Sequence, residues 1–535
     1  MASWQIELVG CDGGRVIESP RMQPIERNKL AALLSFHLLW GFVLWFSISK
    51  LGLGISTDSV HLLFGAQNLS ETGRLISFDG SRLLQWPPLY TALLAGIHLA
   101  TGLSMFPAAH ALHATAFVGQ SICVSLLFLK MFPENFRLAL AGNALADIGV
   151  VVVGGFDLLG SDYVHLFLIT LYALLAGYYI RNNSPKSLVA LAIVGMLAML
   201  ERYLGIAAIA TGVVSMMLLA GSSLRPRLVR GLFLSLSALP AGTWLFLILP
   251  LIGGRAPISF AENFQWFSRS LLEWFLPAAV VGARPALYIA LLWTLLAGLL
   301  VLLVWIGRQQ LPSFAQPVLL YGLFYLLALF GSASIAYFNK LGGRFLLPLY
   351  IPFITLLLVC TQAVLSAVRQ RSPRLRRAAS VGASGSLAVV GALLLLNSVP
   401  IILQSHDGAS GNGENAFNTA EWRANNAIRF WLTHRPKGRY ELLSNYPDSI
   451  AFYTGHACNA SPRQYSGPYG TVEFPVEGYD ASMFASGQDV YLIWIEPNKE
   501  DYYYKPEELG PIADVRELFG SADGAVYQLR PKAKN

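Results

Sequence analysis

The chain has 535 residues, of which 54% are hydrophobic and only 13% are charged, and its mean hydropathy is +0.51. Globular domains in water carry about 25% charged residues, so this composition excludes a soluble globular protein and a disordered chain. Residues 405–535 hold 17 acidic and 12 basic residues, whereas residues 1–404 hold 14 and 26. We therefore expect a basic, polytopic α-helical membrane body followed by a slightly acidic domain. The basic excess indicates membrane anchoring rather than nucleic-acid binding.

The polar N-terminus and the cysteines carry little functional information. Residues 1–29 are expected to form a cytoplasmic N-terminal segment without a cleavable signal. Four cysteines are scattered along the chain, at Cys11, Cys123, Cys360 and Cys458. This spacing predicts neither a disulfide framework nor a thiolate metal site.

Eleven apolar stretches are candidates for membrane helices, since a full span needs about 20 residues. They lie at 30–51, 108–129, 138–156, 163–180, 187–200, 204–220, 230–252, 278–306, 317–336, 345–368 and 381–404. A shorter twelfth stretch, 88–104, begins next to a double proline. Basic residues orient the spans, because positively charged loops stay in the cytoplasm. Arg21, Arg27 and Lys29 place the N-terminus on the cytoplasmic side. The basic run at 369–377 places the loop that contains it on the same side.

These orientations agree when 88–104 does not cross the membrane. It would then be a re-entrant or interfacial helix within an outer loop at 52–107. The sequence therefore predicts a membrane domain over 30–404 with about eleven spans. An extracytoplasmic α/β domain is expected to follow at 405–535. If 88–104 crossed the membrane, this domain would lie on the cytoplasmic side instead.

Only ten acidic residues occur between residues 30 and 404, and each is costly near a bilayer. They are Asp58, Glu71, Asp79, Glu134, Asp147, Asp157, Asp162, Glu201, Glu262 and Glu273. Nine lie at or near the expected outer face, and Glu134 is the exception. This clustering predicts a polar site at the outer membrane surface.

Asp58 follows the first apolar span and opens an amphipathic helix, because Val60, Leu63, Phe64 and Leu69 recur at helical spacing. It is either a functional carboxylate or the N-cap of that helix, a position that Asp favours.

Two further acidic positions have competing interpretations. Asp157 and Asp162 flank a short turn, where they could bind a metal ion, act in acid–base chemistry or cap a helix. Glu201 and Arg202 are adjacent, and a self-contained ion pair is the simpler interpretation of that pair.

Cations cluster late in the chain, where residues 337–353 read YFNKLGGRFLLPLYIPF. Lys340 and Arg344 flank a glycine pair at the start of a span, and Tyr337 opens the segment. Such cations suit a phosphate group at the membrane interface, although snorkelling to lipid headgroups is the alternative.

Several segments in this order resemble the GT-C superfamily of membrane glycosyltransferases, in the branch of protein O-mannosyltransferases and the lipid A aminoarabinose transferase. Besides Asp58, they are RLLQWPPLYTALLAG at 82–96, GSDYVHLFLITLYALL at 160–175, MLERYLGIAAI at 199–209, GRFLLPLYIPF at 343–353 and ELLSNYPDSIAFYTGH at 441–456. The resemblance covers most of the chain.

The resemblance implies transfer of a sugar from a polyprenyl-phosphate carrier to a glycan, lipid or protein acceptor at the outer face of a bacterial inner membrane, with inversion at the anomeric carbon. Asp58 would deprotonate or orient the acceptor hydroxyl, and Asp162 matches the second acidic position. Arg344 would hold the donor phosphate, which fits the need for a cation beside a leaving phosphate.

The remaining expected substrate-binding residues lie in or near the same motifs: Lys340, Arg202, His61, Arg82 and Tyr337. The sequence departs from the family pattern at two places. Ser59 follows Asp58 where a second acid is frequent, and Gln85-Trp86 replaces Glu-Lys before the double proline. A divalent cation is therefore expected only as an option, with Asp157 and Asp162 as its candidates.

The final domain is predicted to contain strands at 441–444, 490–495 and 525–529, and helices at 418–433 and 447–454 after a glycine-rich linker at 408–413. The main alternative function is a lipid or solute transporter, which Asp147 in the middle of a span would suit. The same composition also fits a non-catalytic membrane scaffold, or an enzyme of this architecture that transfers a different polyprenyl-linked group.

Overall fold

The computed structural model describes residues 24–219, 223–248, 258–307, 311–335, 341–369, 373–407, 416–465, 473–479, 483–497 and 502–532. Within these ranges the helices are α1 Pro24–Ile48, α2 Thr57–Thr72, α3 Leu89–Thr101, α4 Met105–Met131, α5 Phe136–Asp147, α6 Val150–Asp157, α7 Asp162–Asn182, α8 Pro185–Glu201, α9 Ile206–Leu219, α10 Leu224–Leu236, α11 Leu239–Ile248, α12 Phe260–Leu272, α13 Ala278–Ala283, α14 Pro285–Gly307, α15 Ala315–Ile335, α16 Leu347–Arg369, α17 Pro373–Asp407, α18 Ala420–Ala424, α19 Asn426–His434 and α20 Pro447–Thr454. The strands are β1 Tyr440–Ser444, β2 Asn459–Ala460, β3 Asp489–Ile495, β4 Ala513–Ser521 and β5 Gly524–Pro531.

Among the described residues, six to eight helices or bent helix pairs are candidate membrane spans, and the predicted number of about eleven is not confirmed. Six are long and apolar enough to cross by length and composition: Arg27–Ile48, Met105–Met131, Asp162–Asn182, Ala315–Ile335, Gly343–Val368 and Pro373–Asp407. Two bent pairs, α5 with α6 (49°) and α10 with α11 (41°), raise the number to eight. Of the other predicted stretches, 187–200 corresponds to the 17-residue α8, 204–220 to the 14-residue α9, and 278–306 to α13 and α14. The 13-residue α3 is too short to span alone.

The bend between α5 and α6 comes directly after Asp147, the acid that favoured a transporter. Its carboxylate is buried and pairs with His37 of α1. Around the bend, the Tyr350 hydroxyl donates to the carbonyl of Leu145 at 2.6 Å, and the Ser398 hydroxyl donates to that of Ile148 at 2.6 Å. Two carbonyls at the bend are thus satisfied within the protein, as a backbone in lipid requires.

Two connections at one end of the helices are joined through their backbones. The Gly54 N–H donates to the carbonyl of Asp157 at 2.7 Å, and the Leu159 N–H donates to that of Gly54 at 2.9 Å. Gly52 in the first connection has a φ of 81°, which favours glycine, and a Cβ there would meet the Phe106 ring of α4 at 2.7 Å. The α1–α2 connection therefore lies directly beside the α6–α7 connection.

The C-terminal domain, residues 416–532, contains one five-stranded sheet in the order β2-β1-β3-β5-β4. Strand β1 is parallel to β2 and β3, whereas β5 is antiparallel to both β3 and β4. The predicted strands in β1, β3 and β5 and the predicted helix α20 are confirmed. The predicted helix at 418–433 is instead split into α18 and α19, because Asn425 leaves the helix and caps α19. The predicted linker at 408–413 lies outside the described residues.

Asn418 attaches this domain to the membrane helices. Its side chain is buried and accepts from the Ile55 N–H at 3.1 Å. The same amide donates to the carbonyls of Leu51 at 2.9 Å and Leu53 at 2.8 Å. The Phe417 N–H adds a bond to the Ile55 carbonyl at 2.8 Å. One side chain thus satisfies three backbone groups of the α1–α2 connection.

Replacing Asn418 by Ala should loosen the C-terminal domain from the helices. The substitution leaves the Ile55 N–H and the Leu53 carbonyl unpaired, each at a cost of about 1–3 kcal/mol, while the Leu51 carbonyl keeps its bond from Arg423. We expect a lower thermal unfolding midpoint in detergent and faster proteolysis between α17 and α18. The exposed Asn459 provides the control, since Asn459→Ala removes no buried bond; equal behaviour of the two variants would contradict the role of Asn418.

Candidate functional site

Asp58 lies in the first turn of α2 but is not its N-cap. Ser56 occupies the cap position, and its hydroxyl accepts from the Ser59 N–H at 3.3 Å in a capping box. The N-cap interpretation of Asp58 is therefore wrong. The carboxylate is left free for another partner, and its side chain is 28% exposed.

Ser59, the residue after Asp58, contacts the α6–α7 connection. Its hydroxyl is buried and donates to the carbonyl of Leu159 at 2.6 Å. A carboxylate at this position has no proton to donate to that carbonyl, so two buried acceptors would face each other without a hydrogen bond. Ser59 thus adds a third hydrogen bond between the two connections and fixes the start of α2.

Arg344 is the partner of Asp58, with 2.5 Å between Nη2 and Oδ2. It lies in a 3₁₀ turn, Gly343–Leu346, that precedes α16. The Tyr325 hydroxyl of α15 donates to the carbonyl of Phe345 at 2.9 Å and holds this turn in place. The structure thus brings the predicted first acid and the predicted phosphate-binding cation into direct contact.

Asp162 and Arg202 form a second ion pair beside the first one. Arg202 has an extended backbone at the end of α8, and its side chain points to α7. The guanidinium carbons of Arg202 and Arg344 each lie 5.8 Å from the ring centroid of Phe345. Two acids and two arginines therefore meet around one aromatic ring, at the ends of helices that are far apart in the sequence.

The expected ion pair between Glu201 and Arg202 is wrong. Arg202 is paired with Asp162, while Glu201 is fully buried and its two carboxyl oxygens have no hydrogen-bond partner within the described ranges. The extended backbone of Arg202 directs neighbouring side chains to opposite sides, which separates the two residues.

Asp157 does not share the site with Asp162. It is buried and accepts from the Ser47 hydroxyl at 2.6 Å, so it faces α1. The described part of the chain contains no group of three or more His, Cys, Asp and Glu side chains arranged to hold a metal ion. The two acids that flank the turn thus have different partners.

His61 lies one helical turn after Asp58, and both of its ring nitrogens have polar neighbours. Nδ1 is 2.5 Å from the Ser77 hydroxyl, and Nε2 is 3.7 Å from a carboxyl oxygen of Asp448 in the C-terminal domain. The ring stacks on Trp86, with 4.7 Å between centroids. Burial lowers the pKa of His61, although Asp79 and Asp58 oppose that shift.

Asp448 is a site residue that the sequence did not single out. The Thr57 hydroxyl donates to its carboxylate at 3.3 Å, beside Asp58 in the chain. Burial raises the pKa of Asp448 to about 6, and the nearby negative charges of Asp58 and Asp79 contribute in the same direction. In the sequence, Asp448 looks like an ordinary acid in the first turn of a helix. Only the packing of α20 on α2 shows that it lies beside Asp58 and His61.

Of the three other predicted substrate-binding residues, the structure describes only Arg82. Arg82 is exposed on the α2–α3 connection. Lys340 and Tyr337 lie outside the described residues. The described centre therefore comprises Asp58, Asp162, Arg202, Arg344, Phe345, His61 and Asp448.

The helices and this polar centre define a multi-pass membrane protein with a charged site at the helix ends. Its fold is similar to that of ArnT from Cupriavidus metallidurans in the apo state, with a TM-score of 0.57 and 12% identity over 94% of this chain and 98% of that chain. For the same protein bound to undecaprenyl phosphate, the TM-score is 0.55 and the identity 13%, over 93% and 98% of the two chains.

The Archaeoglobus fulgidus oligosaccharyltransferase, tethered with an acceptor peptide containing the NVT sequon, is also similar, with a TM-score of 0.51. Its identity is 13%, over 93% of this chain and 74% of that chain. No protein-family model and no curated protein matches the sequence. The structural likenesses show that the chain has a GT-C fold, which confirms the fold expected from the sequence resemblance.

Replacing Asp448 by Asn should stabilise the protein at neutral pH. Because the folded carboxyl, with a pKa of about 6, binds its proton more tightly than the unfolded one, its stabilising contribution falls as pH rises from about 4 to about 6. Above that window the charged form costs up to about 3 kcal/mol. Asn removes this cost and retains an oxygen for Thr57.

We expect the thermal unfolding midpoint of Asp448→Asn in detergent to exceed that of the wild type at pH 7.5. The difference should shrink at pH 4.5. Asp514, exposed on β4, supplies the control substitution Asp514→Asn, which should change neither value. A gain of the same size at both pH values would contradict the burial of a charged Asp448.

Proposed function

We propose that the protein is a glycosyltransferase that moves a sugar from a polyprenyl-phosphate carrier to an acceptor hydroxyl. The observation that carries this proposal is the contact of Asp58 with Arg344 in a GT-C fold. A base and a phosphate-binding cation at one point of the membrane surface are what the reaction needs. The ArnT structure with undecaprenyl phosphate supports a lipid-phosphate donor.

The two ion pairs suggest how the donor engages. Arg344 and Arg202 each neutralise one acid in the structure. A phosphate group offers a guanidinium fork two free oxygens, and it gains negative charge as the sugar leaves it. The donor phosphate would therefore take Arg344 from Asp58. This exchange frees the Asp58 carboxylate to accept the proton of the acceptor hydroxyl.

The bond changes follow from these positions. The acceptor oxygen attacks the anomeric carbon while the bond from that carbon to the phosphate oxygen breaks. Asp58 accepts the acceptor proton, and the arginines stabilise the charge that develops on the leaving phosphate. Attack opposite the leaving group inverts the anomeric configuration. Asp162 would hold Arg202 in position rather than meet the substrate.

We further propose that the site faces the outside of a bacterial inner membrane, with residues 1–29 in the cytoplasm and residues 405–535 outside. The distribution of basic residues in the sequence supports this orientation. The sugar is a hexose or a pentose, and a glycan, a lipid or a protein supplies the acceptor. A divalent cation is included as a variable in the assay below.

A transporter is the second candidate function, and its supporting feature is weaker. Asp147 lies within a bent helix pair, as ion sites in transporters do, but its carboxylate is already paired with His37. A buried pair of this kind also has a purely structural explanation. The transfer assay separates the two functions, because a transporter would move a lipid-linked sugar without releasing its phosphate.

Replacing Asp58 by Asn should lower sugar transfer by about 100-fold or more, since a positioned general base contributes about 10²–10⁴-fold. The measurement is transfer from radiolabelled polyprenyl-phosphate sugars in proteoliposomes, with and without a chelator. Asp514→Asn is the control and should retain full turnover. Equal turnover by Asp58→Asn and wild type would remove Asp58 from the reaction.

The same substitution should strengthen binding of the carrier phosphate. Asp58 competes for Arg344, and a partly exposed ion pair is worth about 0.2–1 kcal/mol, so its loss should tighten binding by up to about fivefold. Binding of undecaprenyl phosphate to the purified protein tests this, with Arg344→Gln as the matched variant that should bind more weakly. Weaker binding by Asp58→Asn would contradict the proposed exchange.

A further inference from the structure

The site has a cationic part and an acidic part, which meet at Asp58. Arg202 and Arg344 share the ring of Phe345 and form the cationic part. The acidic part is formed by Asp448. Its carboxylate accepts from the hydroxyl of Thr57, the residue before Asp58, and lies 3.7 Å from His61, one helical turn after Asp58. A phosphate belongs with the arginines, so the acidic part requires a different kind of ligand.

No arginine or lysine pairs with Asp448 among the described residues. Its neighbours are the Thr57 hydroxyl and the His61 ring, and the nearby charges of Asp58 and Asp79 are of the same sign. The carboxyl side chain is 19% exposed and the His61 side chain 15%, so both retain an open polar edge. A half-buried carboxylate without a cation has unused capacity to accept hydrogen bonds.

Aromatic rings border this polar edge. Trp86 stacks on His61 at 4.7 Å between centroids, and Phe78 lies 4.8 Å from the same ring. Trp86 is only half-buried, which leaves part of its surface open. The carboxylate and the imidazole can form hydrogen bonds with hydroxyl groups, and the aromatic surface can pack against the C–H face of a sugar ring. This combination suits a neutral sugar.

We propose that Asp448, His61 and Trp86 form the subsite for a neutral sugar ring of the acceptor, with Asp448 accepting hydrogen bonds from its hydroxyl groups. This inference rests on the proposed glycosyl transfer, because Asp58 must receive the proton of the attacking hydroxyl. The C-terminal domain thereby supplies a specificity-determining residue to a centre built from membrane helices. An anionic sugar would be repelled by Asp58, Asp79 and Asp448.

Binding can be tested without any donor, so the test does not depend on turnover. Full-length protein in lipid nanodiscs is mixed with methyl α-mannopyranoside, methyl α-arabinofuranoside or a methyl glucuronide, and saturation-transfer NMR reports binding. We expect at least one neutral glycoside to bind the wild type and the glucuronide not to bind. Asp448→Asn should weaken binding about tenfold, since hydrogen bonds to charged groups are among the stronger ones.

Asp514→Asn is the matched control and should bind as the wild type does. Deoxy analogues of the bound glycoside separate direct contact from a structural effect. Removing the hydroxyl that bonds Asp448 should weaken binding to the wild type about tenfold and leave Asp448→Asn unchanged. Asp448→Glu should recover part of the affinity, whereas His61→Gln should lose affinity as Asp448→Asn does.

Three results of the binding experiments would overturn the inference: no neutral glycoside binds the wild type, Asp448→Asn binds as well as the wild type, or a Ser/Thr-containing peptide displaces the glycoside as the preferred ligand. In transfer assays, the acceptor KM of Asp448→Asn should rise about tenfold while the donor KM is unchanged. A rise in the donor KM alone would also reject it. Absence of transfer by the wild type, with glycoside binding intact, would instead reject the proposed function.

Discussion

The site depends on the hydrogen bonding of two backbone connections at the membrane boundary. Backbone groups there have little water to bond, so they must pair within the protein. Gly54 pairs with Asp157 and Leu159 through the main chain, and Ser59 bonds the carbonyl of Leu159. These bonds fix the start of α2 beside the start of α7. They therefore hold the first turn of α2, with Asp58, near the first turn of α7, with Asp162.

Charge balance is the second constraint on this centre. Two carboxylates and two guanidinium groups next to a bilayer would be costly singly, and each is tolerated because it is paired. The pair of Asp162 and Arg202 is the more buried one, and the pair of Asp58 and Arg344 is about 30% exposed. Only the exposed pair can exchange partners at little cost. The buried pair is suited to hold the geometry while the other pair changes.

Sequence reasoning found most of this centre and missed the rest for identifiable reasons. Acids are so rare in an apolar chain that Asp58 and Asp162 stood out, and Arg344 stood out beside its glycine pair. Local sequence patterns gave the wrong interpretation where one pattern fits two structures. Ser56 rather than Asp58 is the N-cap of α2, and Arg202 pairs with Asp162 rather than with Glu201. The predicted count of about eleven spans is not confirmed, because two of the described apolar spans are bent pairs of helices and others are short. A contact between domains leaves no spacing signal, so Asp448 was not predicted.

The division of the site between two parts of the chain has a chemical consequence. In the proposed reaction every acceptor displaces the same leaving phosphate, and the arginines that suit this phosphate belong to the membrane part of the chain. The proposed acceptors differ in their hydroxyl groups, and Asp448 comes from the C-terminal sheet domain. Asn418 fixes that domain to the connection that carries Asp58, so the two parts stay in register. Under this proposal, changes within the domain alter the acceptor side and leave the phosphate side, held by Phe345 and its turn, unaffected.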